Sequence, residues 1–278
     1  MKTYIPGVQL YTVRDDLQAD FEGTIRQVAE MGYRAVEFAG YYGGRSGEEI
    51  RDLLDKYHLI APSVHHPIGD FLTKGQEMVD FFKAFGVKYV TIPHYPGKNY
   101  KTEEARKATC ETFMQVAELL AKNEMVLQYH NHDFEFGKTE DGTYYLDWLY
   151  GALPADKFQV QLDTCWVHYG GEDPVKYIEA YRDRMHTIHF KDFVCSKLAA
   201  GPVYELIGVE STGKKASFEE SGFAQKPVGQ GIQDFDAMLR AMEASAVEYV
   251  IVELDDAKPL TAMEAIRQSM EWLRSRGL

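Results

Sequence analysis

FQVQLDT, residues 158–164, is a short and largely apolar run that ends in a carboxylate, Asp163. Three other runs share its form: VLQYHNH at 126–132 carries His130, MHTIHFKD at 185–192 carries His189, and YVIVELD at 249–255 carries Glu253. Apolar runs of this length, separated by helical patterns, read as buried parallel strands. Parallel strands bring their C-terminal ends to one face of a sheet or barrel, so the four side chains are expected to converge there. Two imidazoles and two carboxylates suit a divalent cation such as manganese, cobalt, iron or zinc. The pattern predicts a metalloenzyme with His130, Asp163, His189 and Glu253 as ligands.

Outward from this stretch the same unit repeats. GVQLYTV (7–13) precedes a helical pattern through Phe21, Ile25, Val28 and Met31; RAVEFAG precedes a helix over 48–57, LIAPSVHH one over 75–85, and VKYVTIPHY one over 102–123. Further helices are expected at 145–150, 174–181, 235–244 and 261–276. Eight strand–helix pairs in 278 residues predict an α/β fold, a single-domain (β/α)8 TIM barrel over residues 1–278. A doubly wound sheet is the rival, but no GxGxxG or Walker sequence supports nucleotide chemistry, and GYYGGRSG (40–47) reads as a plain turn.

Residues 194–227 break the rhythm with a long insertion rich in Gly, Ser and Lys. It is expected to be either a lid or an inert surface excursion, with a hairpin near 204–209 and a lysine pair, Lys214 and Lys215. The net charge of −13 repels phosphodiester backbones, which argues against nucleic-acid partners. Cys110, Cys165 and Cys195 form neither a CxxC motif nor a disulfide framework. Neither a secretory signal nor a membrane span is present in the pattern, and a cytoplasmic protein is expected.

Each candidate also has a plainer reading. Asp163 followed by Thr164 is good N-cap chemistry, Glu253 opens a generally acidic turn with Asp255 and Asp256, and His189 suits a hydrogen-bonded core histidine. Polar groups at other strand ends suit a hydroxyl-rich substrate: Glu37, His65, His66, His94, His132 and Lys191, with His168 in the loop after Asp163. Tyr11, Phe38, Tyr95 and Trp166 are candidate apolar walls.

YRAVEFAG, YHNHDFE, LDTCWVHYGGEDPVKYI, IHFKD and PVGQGIQDF, in this order, resemble the sugar phosphate isomerase/epimerase group of xylose-isomerase-like barrels. That group includes inosose dehydratases, hydroxypyruvate isomerases, ketose 3-epimerases and the endonuclease IV branch. The resemblance implies a TIM barrel with one divalent metal, often manganese, at its C-terminal mouth; cobalt, iron, zinc and magnesium are alternatives. It places metal ligands at Asp163, His189 and Glu253, and a homodimer is the assembly it suggests. The fifth-strand ligand is usually a glutamate in a sequence like LENH; here YHNH puts His130 in its place.

A symmetric epimerisation by two glutamates therefore lacks one partner. The resemblance leaves an isomerase or epimerase acting on a sugar or keto-sugar through an enediolate-type intermediate. The alternative is a lyase that dehydrates a keto-polyol or eliminates from a 3-keto-glycoside. A non-catalytic sugar-binding barrel is the third reading. Glu253, Lys191, His168 and Glu37 are the expected proton carriers, and His65, His94, His132 and Trp166 the expected substrate contacts.

Overall fold

The structure, a computed structural model, describes residues 2–198 and 222–278. Eight parallel strands close a barrel: β1 (Ile5–Gln9), β2 (Ala35–Ala39), β3 (Ser63–His65), β4 (Tyr89–Ile92), β5 (Val126–His130), β6 (Phe158–Asp163), β7 (Met185–Phe190) and β10 (Tyr249–Val252). Each pairs with its neighbours in chain order, and β10 closes on β1 with Ile5 opposite Tyr249. Two short strands, β8 (Asp192–Val194) and β9 (Ala224–Lys226), pair antiparallel beyond the mouth and bracket the insertion. The expected hairpin at 204–209 and the pair Lys214–Lys215 lie outside the described residues.

Strand β6 shows how the sequence builds the barrel. Phe158, Val160 and Leu162 are buried in the main apolar cluster, while Gln161 and Asp163 take part in interior hydrogen bonds. Alternation with period two sends the first set to the helices and the second to the barrel axis. Each fully buried apolar side chain of this kind contributes about 1.5–3 kcal/mol. Helices start where the sequence supplies caps: Ser46 and Glu49 form a capping box before Gly47–Lys56, and Thr261 and Glu264 form one before Ala262–Ser275.

The observed elements differ from expectation chiefly in length. GVQLYTV ends as a strand at Gln9 and turns into a 3-10 segment at Leu10–Val13; Gln9 accepts from the Tyr11 N–H and forces the turn. LIAPSVHH yields only Ser63–His65, and an additional helix, Ile68–Lys74, follows it. Phe38 is no pocket wall: it is fully buried against Phe21, Tyr42 and Phe85 on the helix side. Tyr95 likewise packs on Tyr100 and Phe113.

The axis of the barrel is polar at two levels. The lower holds Gln9, Glu37, Ser63, Thr91, Gln128, Gln161 and Thr187, all buried, and the upper holds the ends of β3, β5, β6, β7 and β10. Burying so many polar groups is tolerable only when they are hydrogen-bonded to one another. Most are: Gln161 Nε2 donates to Glu37 and Thr187, and Gln128 Oε1 accepts from Thr91 and Thr187, while Gln128 Nε2 has no partner among the described residues.

Candidate active site

His130, Asp163, His189 and Glu253 each present a ligand atom within 4.8 Å of the others. Three of them end or nearly end strands β5, β6 and β7, and Glu253 follows β10 directly. The lower layer aims them. Glu37 Oε1 lies 2.7 Å from His189 Nε2, which turns Nδ1 towards Glu253 Oε2 at 2.8 Å. Gln161 Oε1 lies 3.2 Å from His130 Nδ1, leaving His130 Nε2 facing Asp163 and Glu253 at 3.7 and 3.9 Å. A carboxylate or amide behind a ligating imidazole fixes both its tautomer and its direction.

Asp163 has two functions at once. Its Oδ1 accepts from the Trp166 N–H and caps Thr164–Tyr169, so the plainer reading of this residue holds. Its Oδ2 is buried without a hydrogen bond among the described residues, 3.4 Å from Lys191 Nζ. A desolvated carboxylate oxygen in that state calls for a cation. Two imidazole nitrogens and two carboxylates fit a divalent metal, and the donor set is the one expected of transition metals with mixed N and O ligands.

The charges of the cluster are interdependent. Burial would discharge Lys191, but Asp255, Glu253 and Asp163 outweigh it and hold the ammonium well above the ordinary lysine range. Its Nζ lies 2.9 Å from Asp255 Oδ2 and 3.1 Å from Glu253 Oε2. Burial opposes ionisation of Glu253, yet Lys191 and His189 hold its carboxyl well below the usual range. Burial prevails at Asp163, pushed up to about 6 against the pull of Lys191. Burial, with His189 and His65, holds His130 neutral. His189 resists burial and rises to about 10 because Glu37 and Glu253 flank it.

The other expected residues divide among several places. His65 lies inside the cluster, with Nε2 2.6 Å from Gln161 Oε1 and 3.0 Å from Glu37 Oε1, its ring stacked 5.1 Å from that of His189. His65, His130 and His189 form a second group of ligand-type atoms at the same spacing. His132 is 5.0 Å, ring to ring, from His130, and His94 is 6.4 Å from His132. Trp166 lies beneath the Lys191 ammonium, 5.1 Å from its ring centre.

Glu37 is fully buried, with Oε1 also accepting from Gln9 and Oε2 from Ser63 and Gln161. That position suits holding imidazoles rather than meeting substrate. His168 stands apart: its Nδ1 is 2.7 Å from Gln233 Oε1 and its ring packs on Phe193. His66 bonds Asp70 outside the barrel.

Sequence reading missed Gln161, Gln128 and Gln9, whose polarity two residues before or at a strand end was the available signal. It also missed Asp255 as the partner of Lys191, and Gln225. The Gln225 amide donates to Asp255 Oδ2 at 2.7 Å and accepts from the Asp255 N–H at 2.5 Å. Strand β9 is thereby joined to the charged cluster.

A family model described as xylose isomerase-like TIM barrel matches residues 25–276. Inosose dehydratases of Clostridium botulinum and Clostridium beijerinckii are 24% and 23% identical over 194 and 261 residues. Those alignments cover 62% and 84% of this chain, and 63% and 82% of the two enzymes. A sugar phosphate isomerase/epimerase from Parabacteroides distasonis superposes with a TM-score of 0.77 at 20% identity, covering 99% of this chain and 95% of that one. The IOLI protein, solved with a bound zinc atom, gives 0.71 at 17% identity, covering 97% and 96%. Among the described residues no helix is long and apolar enough to cross a membrane. Closed parallel barrel, polar axis and family match agree: the chain belongs to the xylose isomerase-like TIM barrel family.

Proposed function

We propose that this protein is a divalent-metal-dependent lyase that removes water or an alcohol from the carbon beta to the carbonyl of a keto-sugar or keto-polyol. The observation that carries the reading is the contact of 3.1 Å between the Glu253 carboxylate and the Lys191 ammonium. Side by side they give the site a carboxylate that can take a proton and an ammonium that can give one.

His130, Asp163, His189 and Glu253 would hold a divalent ion, which when bound would supply Lewis acidity towards the substrate carbonyl. Glu253 takes the proton alpha to that carbonyl, the C–H electrons form the new C=C bond, and the C–O bond beta to the carbonyl breaks. Lys191 gives its proton to the departing oxygen, and the product is unsaturated. His65, His94, His132 and Trp166 are the proposed contacts for the substrate's hydroxyls and ring. His168 and Glu37 are assigned structural roles instead, from their engagement with Gln233 and with His189.

The inosose dehydratase relatives support elimination. Isomerisation or epimerisation is the second reading, favoured by the likeness to the Parabacteroides distasonis protein. His130 in place of a carboxylate weighs against its symmetric two-glutamate form. We propose manganese as the native ion, with zinc, cobalt, iron and magnesium as the comparison set. A cytoplasmic location and no nucleic-acid partner complete the reading; the charge of −13 supports the latter.

The test is to incubate metal-loaded protein with an inosose in deuterated water and analyse the product by mass spectrometry. Loss of one water with an unsaturated product supports the lyase. An isomeric product of unchanged formula, with deuterium at the alpha carbon, supports the second reading and removes the first.

A further inference from the structure

Beside the cluster, across the Lys191–Asp255 pair, lies a cavity of about 780 Å³. Asp255 and Trp166 belong to both places: each touches or faces Lys191, and each lines the cavity. Its remaining walls come from the turn and short helix after β1, from Phe223 and β9, and from the loop after β10 up to the start of the last helix. A single keto-sugar ring seated on the cluster leaves this space for something else, since volumes of this size accommodate ligands of several rings.

The chemistry of the lining narrows the occupant. Tyr11, Trp166 and Phe223 line it; Trp166 and Phe223 are buried and stacked on each other at 5.4 Å, so Tyr11 offers the open ring. Tyr11 is 39% exposed, in keeping with a ring that faces an opening. Four carboxylates line the cavity (Asp15, Asp16, Asp255 and Asp256) against two cations, Arg14 and Lys258. Arg14 is engaged, whereas Lys258 is largely exposed. Arg14 donates to the carbonyls of Tyr11 and Asp255 and lies 4.3 Å over the Tyr11 ring; Lys258 is 3.5 Å from Asp256. Among the described residues carboxylates outnumber cations two to one around the cavity, an acidic rim that disfavours a phosphate.

We propose that this cavity is a second subsite that takes an uncharged ring, glycosyl or aryl, carried as a substituent on the keto-sugar, and that it discriminates against phosphorylated substrates. The proposal rests on the keto-sugar reading above. The exposed Tyr11 ring and the hydroxyl-accepting carboxylates suit such a ring: it packs on Tyr11, and any hydroxyls it has donate to Asp15, Asp16 or Asp256.

The experiment measures dissociation constants by stopped-flow tryptophan fluorescence, before turnover, on manganese- and zinc-loaded protein. The probes are methyl 3-keto-β-D-glucopyranoside, its phenyl counterpart, 3-keto-cellobiose and the 6-phosphate of the methyl compound. Ala262→Trp, which fills the cavity, and Tyr11→Ala, which removes part of its wall, are measured alongside, with metal content as the control for folding. The expected result is at least tenfold tighter binding of the phenyl compound or of 3-keto-cellobiose than of the methyl compound, with both variants reducing that advantage and the phosphate binding no more tightly than the methyl compound. Which of the two ring-bearing probes binds better distinguishes aryl from glycosyl. Equal affinities, an advantage that survives both variants, or tightest binding of the phosphate overturns the subsite and leaves the keto-sugar reading standing. No binding of any probe to loaded protein overturns both.

Discussion

Glu37 Oε1 lies 2.7 Å from His189 Nε2, and Glu253 Oε2 lies 2.8 Å from the other nitrogen of the same ring. One imidazole is thus held between two buried carboxylates, one from the second strand and one following the last. This arrangement raises His189 to about 10, burial notwithstanding, so the ring carries a proton at neutral pH when no metal is bound. A ligand must give that proton up before it can coordinate.

Metal binding at pH 7 is therefore expected to release about one proton per ion from His189. Because the proton competes with the metal below its pKa, affinity rises with pH between 6 and 9. Calorimetry in buffers of differing ionisation enthalpy counts the protons. A proton count of zero contradicts the arrangement. His189→Ala is expected to lose the ion altogether by elemental mass spectrometry.

Glu37→Gln keeps the shape of the lower layer but removes the charge behind His189. One equivalent of metal is expected to remain, bound roughly 10–100-fold more weakly, which is the usual effect of losing an outer partner of a ligating imidazole. Competition with a chromogenic chelator measures it. Unchanged affinity would show that Glu37 does not orient His189.

Lys191→Met removes an ammonium that shares Asp163 and Glu253 with the metal. Two opposite effects are expected: tighter metal binding, because an internal cation no longer competes, and turnover reduced by about 10²–10⁴, the usual contribution of a positioned acid. Titration calorimetry and product formation read them separately. Weaker metal binding in the variant would reverse the assigned role.

Glu135 is buried just after His132, accepting from the His132 N–H at 2.8 Å and from the Tyr129 hydroxyl at 2.5 Å. Burial pushes its carboxyl up to about 8 despite these bonds. A raised carboxyl is more protonated in the folded than in the unfolded chain between pH 4.5 and 8, so its contribution to stability falls as pH rises through that window. Glu135→Gln does not titrate. Relative to it, the wild-type protein is expected to lose on the order of several kcal/mol between pH 5 and pH 9, read by urea denaturation of both. A difference that stays constant with pH would refute the assignment.

How much of this was legible in the sequence follows from what a strand records. FQVQLDT announces both a strand and a carboxylate at its end, and the same holds for the runs carrying His130, His189 and Glu253, because period-two alternation and strand direction are local properties. The ligand-type cluster follows from them once the barrel closes. Partnerships across the axis are not local. That Gln161 reaches Glu37, His65 and His130 depends on the stagger of four strands, which no single run encodes. His168 illustrates the limit: its closeness in sequence to Asp163 suggested chemistry, but one helical turn carries it round to Gln233.

Asp192 accepts the N–H groups of Gly229, Gly231 and Gln233, and Gly231 has no room for a side chain because a Cβ would sit 2.2 Å from the Asp192 carboxylate. Together with Gln225, bonded to Asp255, it fastens both ends of the insertion to groups that also surround Lys191. The insertion is consequently not a module that can be exchanged at its visible boundaries. A chimera that imports another barrel's segment between Val194 and Ala224 keeps these fasteners and retains the charge pattern around the lysine. One that cuts a few residues further out discards Gln225 and Asp192 and rewires the chemistry of the host while leaving each of its ligands in place.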